Sequence, residues 1–490
     1  MPLLAPQERW SAKVFTGAWE DTGAVLTSRE PATGRELGTV GSADADVLGR
    51  CAAAAARAGD RFAASPPHER AAIVLRAHAL LEENRAELRE MLMREAGKVR
   101  AAAELELDLT AAELMEAARL TSTPSAVQLP TAVPGRTSIA RRVPYGVVAV
   151  IAPWNFPLNL AMRSVAPALA CGNAVILKPA SHTAICCGVA IARVFEEAGL
   201  PPGTLHMLPG RGSELGTAFA EDPNIDLISF TGSTPVGRRL NAAAAEHLKK
   251  FVAELGGNNA FLVLADADPD VAATAGAYGS FTHQGQICMA TGRHLVAAPL
   301  AERYGARLGE IASALRVGDP CGDVDLGPVI DDSQADHIME LIERSVAAGA
   351  RVISGNERDG RFLRPTVLAE VTPEMPVYAE EIFGPVAAIT AVRNDEEAIA
   401  LANDTPYGLV AAVHAGSLAH ARAVGDRLDA GMVHLNDQTV NDEAIAPFGG
   451  RKDSGSGGRF GALTNLEEFT LWQWVTAQEE QFAPRAFRPT

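Results

Sequence analysis

Apolar and polar positions alternate along this chain with two different periods. Over residues 69–97, Ile73, Ala77, Leu80, Leu81, Leu88 and Leu92 recur at three- and four-residue spacing, which predicts one long amphipathic helix that Gly97 can end. A second helix is predicted at about 100–120. The segment 121–145 changes character: it is rich in Thr, Ser, Pro and Arg, has strand-like stretches, and reads as an excursion from the unit before it. From 146 to 254 short apolar runs at 147–151, 174–177, 204–208, 226–230 and 251–254 alternate with helical patterns near 158–170, 182–199, 212–220 and 235–248. Strands alternating with helices of that length predict βαβ units on a parallel sheet, where ligands bind at the carboxyl ends of the strands. A second α/β pattern follows from 257 to about 450, with runs at 260–264, 293–297 and 386–392 and helices at 300–315, 333–349 and 395–402. The glycine-rich stretch 449–461 reads as a loop, and 466–490 returns to β-like composition before a proline-containing tail.

Composition narrows the choice of partners. The 490 residues carry 60 acidic against 43 basic side chains, a formal charge of −17. That balance argues against nucleic acid, which needs concentrated positive charge, and against an anionic membrane surface. No apolar run approaches the roughly 18 residues needed to span a bilayer, and the N-terminus has no signal-peptide pattern. Six scattered cysteines without zinc-ligand spacing imply neither a disulfide framework nor a metal site. The expectation is a cytoplasmic protein. Only six of the basic residues are lysines (Lys13, Lys98, Lys178, Lys249, Lys250 and Lys452), so each retained lysine invites a reason.

Four features carry chemistry. Cys288 lies in an irregular stretch, flanked by Gly285, Gln286 and Met289. A thiolate is a strong nucleophile, although most cysteines are simply small buried apolar residues. Glu254 ends a β-rich run ahead of Gly256-Gly257; it is either a solvated turn residue or a general base towards water. Asn155 sits between two prolines in Pro153-Trp154-Asn155-Phe156-Pro157, directly after the first parallel strand. A rigid amide there can donate to an oxyanion, or merely make a turn. There is no GxGxxG fingerprint. Instead Phe230-Thr-Gly-Ser-Thr-Pro-Val-Gly237 runs from a strand end into a helix start, a backbone arrangement that binds phosphate, and Lys178-Pro179-Ala180-Ser181 closes the neighbouring strand.

Taken in order, PWNFP (153–157), LKPAS (177–181), FTGSTPVG (230–237), ELGG (254–257), GQIC (285–288), EEIFGPV (380–386), NDTPYGL (403–409) and PFGGRKDSGSG (447–457) resemble the aldehyde dehydrogenase superfamily over about residues 15–475. The resemblance implies an α/β protein with a Rossmann-like cofactor domain (1–123 and 145–256), an α/β catalytic domain (257–465) and a small β oligomerisation domain (124–144 and 466–490), assembled as a homodimer or homotetramer. It implies Cys288 as the nucleophile that forms a thiohemiacetal and then a thioester. It casts Asn155 with the Cys288 N–H as the oxyanion hole, and Glu254 as the base for water. Lys178, Glu381 and Phe383 would hold the two ribose–base halves of the cofactor. Trp154, Ser181, Gly212, Gly216, Phe230, Gly232, Ser233 and Leu255 would line the rest of the cleft. NAD is the expected cofactor. Ser181 stands where many NAD-preferring members have a glutamate, which leaves NADP open, with Arg211 as a candidate phosphate partner.

The stretches 160–173, 283–296 and 434–450 look most like the benzaldehyde dehydrogenase branch, implying an aromatic aldehyde. Phe156, Leu160, Arg163, Ile287, Met289 and Phe448 are then the expected substrate-tunnel residues. Phe156 and Phe448 are equally well read as core, and Arg163 as half of an ion pair. The alternatives are an aliphatic or semialdehyde dehydrogenase, an acylating enzyme that passes the thioester to coenzyme A, an inactive binding homologue, and a cysteine hydrolase that uses Cys288 without a cofactor. Glu254 argues against the second, and the intact set of Cys288, Asn155, Glu254, Lys178 and Glu381 against the third.

Overall fold

A computed structural model of the chain describes residues 2–479; the part of the expected oligomerisation segment at 480–490 lies outside them. The five predicted strands of the first α/β region form the centre of a seven-stranded sheet. Its order is Lys250–Glu254, Leu227–Thr231, Val147–Ile151, Ala174–Lys178, Leu205–Met207, Lys13–Phe15, Trp19–Asp21. The first five run parallel and the last two antiparallel at one edge.

These strands read as continuous apolar runs because both faces are covered. Val148, Val150, Val175 and Leu177 face a cluster with the helices at 67–120, 157–170 and 190–197. Val147, Ala149, Ile151, Ala174 and Ile176 face the helices Ala45–Ala63, Gly212–Glu221 and Thr234–Glu246. Chain order reverses at Val147–Ile151, which pairs with Ala174–Lys178 on one side and Leu227–Thr231 on the other. Such a reversal opens a crevice at the carboxyl ends, where Trp154, Lys178 and Gly232 stand.

A second seven-stranded sheet has the order Arg351–Ser354, Thr366–Ala369, Val386–Val392, Thr291–Ala297, Asn259–Val263, Val410–His414, Met432–Leu435. All its neighbours are parallel except the first pair. Separately, Thr470–Gln478 pairs antiparallel with Arg136–Pro144 along nine residues, and Ala126–Gln128 adds a third strand.

Four expectations need correction. The helix expected over 69–97 is two, Pro67–Glu83 and Arg85–Glu95. Asn84 between them leaves helical geometry (φ −112°, ψ 16°), and both its backbone N–H and its side-chain amide donate to the Leu80 carbonyl; this local competition for a carbonyl is why Asn disfavours helix interiors. The helix expected over 182–199 is a 3-10 turn, a π segment at Ile185–Val189 and an α-helix at Ala190–Glu197. Buried Glu95 accepts from the Ile185 and Cys186 amides at 2.9 and 2.6 Å, an external acceptor at the point where the regular ladder is lost. The second sheet also has four strands that were not anticipated, at 351–354, 366–369, 410–414 and 432–435. The 466–490 segment begins inside a helix, Ala462–Phe469, before the strand starts at Thr470.

Candidate active site

Three spaces meet between the two large sheets. One is lined by Trp154, Asn155, Glu254, Leu255, Cys288, Glu381 and Phe383 among others. A tunnel shares Asn155, Leu160, Arg163, Cys288 and Phe448 with it and adds Phe156, Ile287 and Met289. A cleft over the first sheet shares Trp154, Gly232 and Ser233 and adds Lys178, Gly212, Gly216 and Phe230. Of the candidate residues, Ser181 and the candidate phosphate partner Arg211 line none of them; Ser181 is tied back to the backbone. Its hydroxyl donates to the Gly210 carbonyl at 3.5 Å, and Ala180 takes its place on the cleft wall.

Cys288 sits where the tunnel and the first cavity join. Its loop is held in an unusual backbone form: His283 (φ 50°) and Gln284 (φ 57°) are both left-handed, a conformation that persists in non-glycine residues only when the surroundings enforce it. Enforcement is visible. The His283 ring Nε2 lies 2.9 Å from the Asn155 carbonyl. Gln284 Nε2 donates to the Gly97 and Pro328 carbonyls at 2.9 and 2.8 Å. Gln286 Oε1 accepts from the Ile330 N–H at 2.9 Å.

The Cys288 carbonyl accepts from Asn259 Nδ2 at 2.8 Å, and among the described residues no acceptor lies on the Cys288 N–H. Asn155 Nδ2 donates to the Gln286 carbonyl at 2.9 Å. An amide has two N–H donors, so a second remains for an oxygen beside Cys288. Burial pushes the Cys288 thiol up to about 12, with the Glu381 and Glu254 carboxylates adding to the shift and Arg163 opposing it.

Glu254 ends its strand facing the same cavity. Neither carboxylate oxygen has a hydrogen-bond partner. Burial therefore holds its pKa well above the ordinary value, opposed by Arg459 and Arg163. A buried base of raised pKa, with lone pairs unspent, is suited to taking a proton from water.

Across the cavity Glu381 Oε1 accepts from the Gly257 N–H at 2.8 Å, and burial raises this carboxyl to about 7. Gly256 permits that approach, since a Cβ there would lie 2.1 Å from Glu381 Oε2. Phe383 packs edge-on to Trp154 at 5.5 Å. In the cleft, buried Lys178 has only a long contact, 3.4 Å to the Pro179 carbonyl, which leaves donors unspent. Gly212 opens the helix Gly212–Glu221 with nothing within 4 Å of where a Cβ would stand. A free ammonium, an open helix N-terminus and a carboxylate with an unspent oxygen form a donor and acceptor set that fits an anionic dinucleotide and its ribose hydroxyls.

Arg163 is both things the sequence left open. It lines the first cavity and the tunnel, and it is buried between Glu113, at 2.9 Å, and Asp442, with its guanidinium 4.5 Å over the Phe448 ring. Glu113 is raised by burial to about 7.

Sequence reasoning missed Gln334, His337 and Phe460 in the first cavity and Leu105, Leu109 and Asn159 in the tunnel. Leu105 and Leu109 are four apart on the helix Arg100–Leu120, a spacing indistinguishable from core. Asn159 lies four before Arg163 on the helix Pro157–Ala170, which was a usable signal.

The chain has counterparts among known proteins in sequence and in fold. The chain is 51% identical over 472 residues to a vanillin dehydrogenase from Amycolatopsis sp., covering 96% of this chain and 97% of that one. It is 47% identical over 476 residues to an NAD(+) benzaldehyde dehydrogenase from Pseudomonas putida, covering 97% and 98%. Among solved structures, the NAD-dependent benzaldehyde dehydrogenase from Corynebacterium glutamicum superposes with a TM-score of 0.87 at 39% identity, covering 96% of this chain and 97% of that one. The model of the aldehyde dehydrogenase family matches residues 19–475, and the chain belongs to that family.

Proposed function

We propose that this protein oxidises aromatic aldehydes to carboxylic acids with NAD as hydride acceptor, NADP being a second possible coenzyme. The observation that carries the reading is the convergence on one cavity of a thiol, an amide with a spare donor and an unpartnered buried carboxylate. The names of the vanillin and benzaldehyde dehydrogenase relatives support the substrate class.

In this reading Cys288 Sγ bonds to the aldehyde carbon, and its proton leaves to the buried carboxylate or to solvent. The former carbonyl oxygen takes up the charge and accepts from Asn155 Nδ2 and the Cys288 N–H. The bound dinucleotide supplies the hydride acceptor. Glu254 then takes a proton from water, whose oxygen bonds to the acyl carbon as the carbon–sulfur bond breaks, releasing the acid and the Cys288 thiolate, and returning that proton from Glu254 restores the thiol. Lys178, Glu381, Trp154 and Phe383 orient the dinucleotide. The tunnel walls Phe156, Leu160, Ile287, Met289 and Phe448 exclude water and take the ring.

The segments 1–123 and 145–256 serve the cofactor and 257–465 the substrate. Segments 124–144 and 466–490 join subunits of a homodimer or homotetramer in the cytoplasm. Support for the last assignment is apolar surface on the three-stranded sheet, where Trp474 is 70% and Trp472 50% exposed. No helix among the described residues is long and apolar enough to cross a membrane. The deciding experiment is a steady-state panel of benzaldehyde, vanillin and hexanal with NAD and NADP, with and without coenzyme A. Highest kcat/KM for the aryl aldehydes and acid release without coenzyme A are expected. Background rates with all three would overturn the reading.

A further inference from the structure

Five of the six lysines have no place in the chemistry above, and one of these is the most deeply enclosed of the six. Lys98, in the loop between the helices Arg85–Glu95 and Arg100–Leu120, is fully buried. Its ammonium has one polar neighbour, Glu106 Oε2 at 3.0 Å. It also stands 3.2 Å over the centroid of the Phe156 ring.

Glu106 spends its other oxygen on the backbone, accepting from the Leu158 and Asn159 N–H groups at 2.8 and 3.1 Å. These open the helix Pro157–Ala170. His283 closes the arrangement, with its ring edge-on to Phe156 at 5.5 Å and its Nε2 on the Asn155 carbonyl. The turn that carries the spare amide donor and one tunnel wall is therefore fixed residue by residue from behind. His283 holds Asn155, Lys98 holds Phe156, and Glu106 holds residues 158 and 159.

A charge this deep is costly, and a lone pair of charges is not how a core is cheaply stabilised. Its geometric effect is specific. Phe156 packs with Ile287, Met289 and Phe448 around Cys288, and it cannot turn without leaving the ammonium that sits on its face. A ring so pinned presents a flat, fixed wall to the tunnel, which suits a planar aryl group more than a flexible chain.

We propose that Lys98 and Glu106 are positioning residues that pin Phe156 and so set the preference for aryl over alkyl aldehydes. The inference rests on the proposed aromatic aldehyde oxidation. The test compares kcat and KM for benzaldehyde and hexanal in the full-length protein and in the variants Lys98→Met/Glu106→Gln and Lys98→Arg. The double variant removes both charges together, and glutamine still offers an acceptor to both amides. In it kcat/KM for benzaldehyde falls roughly tenfold more than for hexanal, mostly through KM, and Lys98→Arg recovers part of the ratio. Should the double variant not fold, by its thermal melting curve, Glu106→Gln alone carries the same comparison with the same expected direction. A folded variant with an unchanged aryl-to-alkyl ratio overturns the Lys98 assignment and leaves the proposed activity standing. An unsubstituted protein inactive on both aldehydes overturns the activity, and this inference with it.

Discussion

At the scale of single residues, burial sets the chemistry more than charge does. Cys288, Glu254 and Glu381 are all shifted upward first by loss of water. Cys288→Ala is expected to reduce NADH formation to background; a retained burst would rule out the nucleophile role. Glu254→Gln is expected to slow acid release by about 10²–10⁴-fold while a rapid first turnover of NADH survives, as stopped-flow absorbance would show. Both groups work deprotonated, so raising the pH should speed the reaction.

The Glu381 carboxyl gives a stability prediction of opposite sense. Its folded pKa, about 7, lies above the ordinary value of about 4.3, so the folded state binds the proton more tightly than the unfolded one. The stability it contributes is complete below about 4.3 and is lost as the pH rises through 7. Glu381→Gln should therefore lose less melting temperature than the parent between pH 5.5 and 8. An equal loss in both would show that this carboxyl is not what titrates.

The residues proposed to touch substrate stood out in the sequence by their motifs. Cys288, Glu254 and Asn155 are polar groups in turns at strand ends, where the fold leaves side chains uncommitted. Residues acting from behind did not. Lys98, Glu106 and His283 lie in helical or loop patterns where a charge reads as solvated surface, and only tertiary packing shows them to be buried.

At the scale of elements, the five parallel strands of the first sheet were legible to within a residue or two because both of their faces are buried, leaving uninterrupted apolar runs. The strand Arg351–Ser354 is short and half exposed, and Val410–His414 follows a turn and holds two alanines. Neither offers the β-branched density that marks a strand. The break at Asn84 was hidden because apolar spacing continues across it. The helix Pro157–Ala170 depends on a partner outside itself. Glu106→Ala would strip its first amides of an acceptor and leave Lys98 unpaired, a change worth about 3–5 kcal/mol. A clear drop in the thermal midpoint is expected, larger than for Glu106→Gln.

At the scale of the whole molecule, two sheets share one site without either containing it. Cys288 is anchored through Gln284 to the Gly97 carbonyl, beside the first sheet's helices, and to the Pro328 carbonyl beyond it in the chain. The formal charge of −17 surrounds a cleft proposed for an anionic dinucleotide, so discrimination rests on a few placed groups. Arg211 is exposed and 3.8 Å from Glu214. Ser181→Glu should lower the ratio of NADP to NAD kcat/KM by at least tenfold, as expected for a carboxylate facing a phosphate. An unchanged ratio would remove Ser181 from coenzyme choice. The proposed subunit assembly through the exposed tryptophans is checked by light scattering after Trp472→Glu/Trp474→Glu, which is expected to shift the protein to smaller species.

The enclosed thiol has a further consequence, for the life of the enzyme between turnovers. Loss of water holds the Cys288 thiol towards its protonated form. Peroxide and alkylating agents attack the thiolate. Slow alkylation of Cys288 in the free protein, followed by mass spectrometry, is therefore the expected outcome.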